Sequence, residues 1–309
     1  MERRKFIINS TLALGTISLQ GIASGNKVQD GLPGPDPGFL CEEINLWKDG
    51  SDNNGKNKNY RPKIRIYYPV FLEPPKKRFA AVLICPGGGY YAQAPHEGQP
   101  FAQLFSLYGI VGIVLTYRVF PDRYPGSYSD AVRAMRILRR DAVKYNLDPG
   151  KIGIMGFSAG GHLASTVATQ PDLYKNPEDD LVDRFTARPD RVILGYPVIS
   201  FIDEFAHKGS ANSLLGENPD PQMLKQLTNY LHVTKNSPPA FLFHAADDDG
   251  VPPQNSIRYA EACINNKVPV ELQLYPKGGH GVGMALHDPS LKMWTENLMN
   301  WLSDWIYQP

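Results

Sequence analysis

The chain has 309 residues, a length that suits one large α/β domain. Apolar residues make up 42 % of it, enough to build a core, and 32 basic side chains stand against 31 acidic ones. That balance leaves no basic field for nucleic acid and no acidic tail, so the expected partner is a small or neutral molecule.

The chain opens with Glu2-Arg3-Arg4-Lys5-Phe6-Ile7, which has the form of a twin-arginine export signal. A modestly apolar stretch follows from Phe6 to Leu19, and small residues at Ala23, Ser24 and Gly25 offer a cleavage point. The stretch is too short and polar for a membrane span, so residues 1–25 are expected to act as a removable signal and to deliver the protein to the periplasm or beyond, with no membrane association afterwards. Residues 27–40 are rich in Pro and Gly and read as a linker, and residues 26–60 as a whole form a linker and N-terminal strand region. A polar loop over 51–60 separates two strands, Glu43–Trp47 and Lys63–Val70, as in a hairpin.

Beyond it, buried strands alternate with helices. Strands are predicted at Ala80–Cys85, Ile110–Tyr117, Ile152–Phe157, Arg191–Tyr196, Ala240–His244 and Val270–Tyr275, and helices at Tyr128–Lys144, Gly161–Ala168, Asn255–Asn265 and Leu291–Ile306. The alternation predicts a parallel sheet covered on both faces. The irregular, Pro-rich stretch 199–238 is expected to cap the C-terminal edge of that sheet, where open α/β folds bind ligands. Three cysteines, Cys41, Cys85 and Cys263, cannot all pair internally, and no His/Cys grouping points to zinc.

The sharpest local feature is Gly156-Phe157-Ser158-Ala159-Gly160, with a strand leading in and a helix leading out. In that context Gly-x-Ser-x-Gly predicts a nucleophile elbow, a strained turn that lifts the Ser158 hydroxyl above the sheet. Glycines on either side leave room for the crossing strand and helix. A serine nucleophile needs a base, and His280 stands in the glycine-flanked loop Lys277–Gly281, directly after the last strand. His287 is the second choice, and His162 is expected to be structural. The base needs an acid to orient it, and Asp247, Asp248 and Asp249 lie between nucleophile and histidine in the chain. Asp248 is chosen, with Asp247 next and Asp249 third. Oxyanion donors are expected from the backbone N–H of Ala159 and from the Gly87-Gly88-Gly89 turn.

These motifs, namely CPGGGY, HEGQPFAQLFSLYG, GFSAGGHLAS, PPAFLFHAADDDGVPP and YPKGGHGVG, resemble as a set the acetylxylan esterase-like and feruloyl esterase-like branch of the α/β-hydrolases, whose members are often labelled xylanase B-like. The resemblance covers about residues 63–306. It implies an α/β-hydrolase fold over 61–309, with a mostly parallel eight-stranded sheet and helices on both faces. It carries the nucleophile to Ser158, the acid to Asp248, the base to His280 and the oxyanion glycines to Gly88 and Gly89. It implies a serine carboxylesterase with no cofactor and no metal, acting on a small-molecule or oligosaccharide ester, acetylated xylan first and feruloyl or other short-chain esters as the alternative. Many relatives carry His where Pro86 stands, which puts the wall of the acyl pocket in question. A peptidase on this fold would need a gating domain that the chain lacks room for. A glycosidase would need two carboxylates flanking the bond, and Glu97 and Asp130 are candidates on paper. Glu97 is instead expected to shape the oxyanion loop and Asp130 to start a helix. A non-catalytic binding module is the remaining alternative.

Overall fold

Side chains that alternate between the two faces of each apolar strand give the central sheet two separate cores, each closed by its own helices. In a computed structural model, the described residues are 41–49, 51, 53, 55–69, 78–173 and 180–307, all within one unit, Leu32–Pro309. The expected export signal and the linker over 27–40 lie outside them.

The elements run β1 (Cys41–Asn45), β2 (Lys63–Tyr67), β3 (Phe79–Cys85), α1 (Gln99–Leu107), β4 (Val111–Thr116), α2 (Gly126–Arg140), β5 (Leu147–Phe157), α3 (Ser158–Thr169), β6 (Val192–Gly195), α4 (Lys208–Leu215), α5 (Pro221–Gln226), β7 (Ala240–Ala245), α6 (Gln254–Asn265), β8 (Val270–Tyr275) and α7 (Met293–Tyr307). The strands form one eight-stranded sheet in the order β1-β2-β4-β3-β5-β6-β7-β8. β1 and β2 are antiparallel, with Ile44 opposite Ile64, and β2 is antiparallel to β4. The six strands from β4 to β8 in that order are parallel. β1 lies within the 26–60 region and belongs to the same sheet as the rest. The chain leaves β3 for β4 on one side and returns to β5 on the other, so the direction of winding reverses between β3 and β5. The crevice at the C-terminal ends of those two strands is where such sheets bind ligands.

Ala81 and Leu83 of β3 face α2, α3 and α6, where Met135, Leu138, Leu163, Val167 and Tyr259 close the first core. Val82 and Ile84 face α1 and α7, where Phe101, Phe105, Trp294, Leu298 and Leu302 close the second. β8 is half-exposed along its length rather than buried as its apolar run suggested, because it forms the edge of the sheet. α2 begins at Gly126, ahead of Asp130. Asp130 is fully buried inside the helix, where it accepts from Trp47 Nε1 (2.7 Å) and pairs with Arg118 (2.8 Å). This contact fastens the segment after β1 to α2. The stretch 199–238 holds α4, α5 and a short 3-10 turn, so it is more ordered than its prolines suggest. No helix among the described residues is long and apolar enough to cross a membrane.

Trp294 is the keystone of the second core. Its ring lies parallel to Phe243 at 4.6 Å, meets Phe101 at 5.5 Å, and its Nε1 donates to Gly283 O (3.2 Å) in the loop that carries His280. Trp294→Ala is expected to lower unfolding stability by about 3–5 kcal/mol, seen as a lower urea midpoint with an unchanged slope. A midpoint equal to that of the parent would show that the neighbours collapse around the gap.

Candidate active site

The crevice between β3 and β5 is built by two glycine contacts. A Cβ on Gly156 would lie 2.0 Å from Gly160 O, and one on Gly160 would lie 2.1 Å from Cys85 O and 2.4 Å from Pro86 O. With only hydrogen at both positions, β5 passes into α3 in a turn tight enough to touch the end of β3. The residue at the apex is Ser158, held at φ +50°, a left-handed conformation that a side chain adopts only when its surroundings enforce it. Ser158 is 7 % exposed and heads α3, where the unpaired N–H groups and the helix dipole favour negative charge.

The loop after β8 brings His280 to this apex. Its Nε2 lies 2.9 Å from Ser158 Oγ, and its Nδ1 lies 2.7 Å from Asp248 Oδ2. Asp248 Oδ1 accepts from the N–H groups of Gly250 (2.9 Å) and Val251 (2.8 Å). Burial pushes the Asp248 carboxyl up, but hydrogen bonds from His244, His280 and Val251 outweigh it and hold the group well below the ordinary carboxylate range. An ionised Asp248 fixes the His280 proton on Nδ1, so the Nε2 lone pair faces the serine hydroxyl.

The structure therefore brings together Ser158, Asp248 and His280, and it separates their rivals. Asp247 is exposed and accepts from Gly279 N (2.9 Å), while Asp249 is exposed. His287 lines a cavity of about 560 Å³ with Pro100, Val282, Met284 and Leu286, and neither Ser158 nor His280 lines it. His162 is buried, with Nδ1 accepting from Tyr90 OH (2.8 Å) and Nε2 donating to Leu227 O (2.7 Å). Burial lowers its pKa to about 4, so it stays neutral. The turn Gly87–Gly89 runs beside the serine: a Cβ on Gly87 would lie 2.9 Å from Ser158 Cβ. Gly88 and Gly89 have φ of +125° and +64°, a backbone that glycine adopts without strain. Gly87 N donates to Glu97 (2.7 Å), whereas the N–H groups of Gly88, Gly89 and Ala159 meet no acceptor among the described residues.

Glu97 and Asp130 do not flank a cleft. Asp130 is locked in the core, and Glu97 is 2 % exposed with both oxygens engaged. Glu97 Oε2 takes Gly87 N–H, and Oε1 takes the hydroxyl of Tyr196 (2.7 Å), which in turn accepts from Gly283 N (3.0 Å). Burial raises the Glu97 carboxyl above the ordinary range despite these bonds. The Tyr196 ring meets the His280 ring edge-on at 5.1 Å. One buried carboxylate thus links the turn beside the serine to the loop of the histidine. Tyr196 went unseen in the sequence because an aromatic residue ending an apolar strand reads as core. His244 was also missed. It is fully buried, with Nε2 2.8 Å from Val251 O and 3.2 Å from Asp248 Oδ2, and Nδ1 accepts from Ser256 Oγ (2.7 Å). Its signal was its place at a strand end, four residues before the aspartate.

A family model, BD-FAE, matches residues 65–263. The chain belongs to the BD-FAE family. Among similar proteins, the BD-FAE chain is 33 % identical to endo-1,4-beta-xylanase B of Butyrivibrio fibrisolvens, over 86 % of itself and 41 % of that protein. It is 34 % identical to an acetylxylan esterase of Xylanibacter ruminicola, over 72 % of itself and 45 % of that protein. The chain therefore spans less than half the length of these two relatives. An acetyl ester-xyloside bifunctional hydrolase from Caldicellulosiruptor lactoaceticus superposes with a TM-score of 0.79 at 40 % identity, covering 85 % of this chain and 96 % of that one. Among the described residues of this BD-FAE member, no cluster of three His, Cys, Asp or Glu side chains is arranged to hold a metal ion.

The depressed Asp248 carboxyl gives a pH test. Its folded pKa lies below its unfolded value of about 3.9, so its ionisation adds stability that is present above that pH and is lost as pH falls through the folded value. Asp248→Asn is expected to be less stable than the parent near neutrality, with a gap that narrows as pH drops below about 4. Denaturant unfolding of both proteins across this range measures it, and a gap independent of pH would contradict the assigned charge.

Proposed function

We propose that this protein is a serine carboxylesterase that removes short acyl groups, acetyl above all, from xylan or xylo-oligosaccharides through an acyl-serine intermediate. The observation that carries the reading is the single imidazole bridging Ser158 Oγ at 2.9 Å and Asp248 Oδ2 at 2.7 Å. The names of the Xylanibacter and Caldicellulosiruptor proteins support the acetyl ester, and the export signal expected over residues 1–25 would carry the enzyme toward a polymer substrate.

His280 Nε2 takes the hydroxyl proton as Ser158 Oγ attacks the ester carbonyl carbon. The carbonyl oxygen gains negative charge and is received by the N–H groups of Ala159, Gly88 and Gly89. The bond from carbon to the sugar oxygen then breaks, and His280 gives its proton to that oxygen, releasing the alcohol. A water molecule attacks the acyl carbon, His280 takes its proton, and the carboxylic acid departs as Ser158 Oγ recovers the proton. Throughout, Asp248 stabilises the imidazolium without itself taking the proton. Glycoside cleavage by a carboxylate pair at Glu97 and Asp130 is disfavoured, because both are buried and bonded to protein groups.

Ser158→Ala is expected to cut kcat on 4-nitrophenyl acetate by about 10⁵-fold or more, and Asp248→Asn by about 10⁴-fold. Acetate release from acetylated xylo-oligosaccharides should fall in parallel. A Ser158→Ala protein with near-parental turnover would refute the nucleophile, whereas faster turnover of feruloyl than of acetyl esters would transfer the reading to that acyl group.

A further inference from the structure

Two large aromatic side chains beside the active site lie outside either core. Tyr91 is 66 % exposed and Phe120 is 37 % exposed, and their rings stack at 5.7 Å with planes 19° apart. They come from different loops, the first following the Gly87–Gly89 turn and the second following β4. Each loop is fixed. Tyr91 N donates to Gly88 O (3.0 Å), and Phe120 N donates to Tyr90 O (2.8 Å), so the backbones are joined directly beneath the rings. The Arg123 guanidinium lies 5.5 Å over the Phe120 ring and donates to Asn212 O (2.7 Å), which braces the platform from α4. The turn closed by the Tyr91–Gly88 bond keeps Tyr91 Cα within about 7 Å of Gly88 Cα. The platform is therefore anchored on the same turn as the proposed oxyanion donors.

We infer that the exposed face of Tyr91, backed by the Phe120 ring, forms a stacking subsite for a pyranose ring of an oligosaccharide whose ester lies at Ser158. The inference rests on the carbohydrate-ester reading above and extends it from the acyl group to the chain that bears it. Exposed aromatic area is unfavourable in water unless a ligand covers it, and preorganised rings lose little conformational freedom on binding. A xylopyranose ring has equatorial hydroxyls and a face of axial C–H groups. Those hydrogens carry slight positive charge and meet the electron-rich face of an aromatic ring. The sugar is uncharged, which suits a surface whose Arg123 is already committed to Phe120 and backbone carbonyls.

The test uses the full-length protein with xylohexaose as probe. In the Ser158→Ala background, isothermal titration should detect xylohexaose, and adding Tyr91→Ala and Phe120→Ala should weaken its binding by about tenfold or more. Tyr91→Phe should retain the affinity, since it keeps the ring. With Ser158 intact, the same pair of alanines should lower the ratio of kcat/KM on acetylated xylo-oligosaccharide to that on 4-nitrophenyl acetate by about tenfold, chiefly through KM. An unaltered melting temperature separates these effects from misfolding. Xylohexaose that fails to bind, or that binds the double alanine variant equally well, overturns the subsite. A parent enzyme that cleaves 4-nitrophenyl acetate but releases no acetate from acetylated xylo-oligosaccharides overturns the substrate reading instead.

Discussion

Contact between the second glycine of the elbow and the end of β3 is the constraint on which the rest of the site depends. A methyl group on Gly160 would lie 2.1 Å from Cys85 O, so α3 can start this close to β3 only without one. The same approach puts Ser158 at φ +50° and sets the Gly87–Gly89 turn against its Cβ. The proposed nucleophile and oxyanion turn are thus two consequences of one packing contact, at the point where the sheet changes its direction of winding. The strain at Ser158 is held by the two cores beneath it.

The proposed base, His280, is held in another way. The loop over 277–283 has three glycines at positive φ, Gly279, Gly281 and Gly283, with Val282 packed against the second core. Its position comes from a series of polar tethers. Asp247 takes Gly279 N, His96 Nε2 donates to Gly281 O at 2.9 Å, and Gly283 is held from both sides by Tyr196 OH and Trp294 Nε1. Asp248 then fixes the ring, with His244 lying against the same carboxylate oxygen at 3.2 Å. Tyr196 also bonds Glu97, which bonds Gly87, so one continuous series of hydrogen bonds joins the Gly87–Gly89 turn to the histidine loop. Close glycine contacts thus position the serine, whereas the histidine loop adds a series of hydrogen bonds to its packing.

Legibility in the sequence followed the same division. Strands β3 to β7 and helices α2, α3, α6 and α7 were readable because apolar periodicity and turn residues are local signals. The elbow was readable because Gly156, Ser158 and Gly160 sit within five residues between a strand and a helix. Ser158, His280 and, ahead of Asp247 and Asp249, Asp248 could be named from chain order and spacing, whereas the burial of the middle carboxylate appears only in the fold. Glu97 was expected to shape the glycine turn, and it bonds Gly87, but its bond to Tyr196, that of Tyr196 to Gly283 and the place of His244 depend on partners 87 to 99 residues apart or on burial, which no local pattern encodes. The exposed edge position of β8 and the order within 199–238 were likewise set by tertiary neighbours rather than by propensity.

The central claim is that Ser158 Oγ is an activated nucleophile. Treatment of the full-length protein with a fluorophosphonate, followed by peptide mass mapping, tests it most directly. The account predicts one phosphonyl group per chain, located on Ser158, with loss of esterase activity in proportion to labelling and with labelling suppressed in His280→Ala. An unmodified Ser158 in fully inactivated protein, or equal labelling without the histidine, would contradict it.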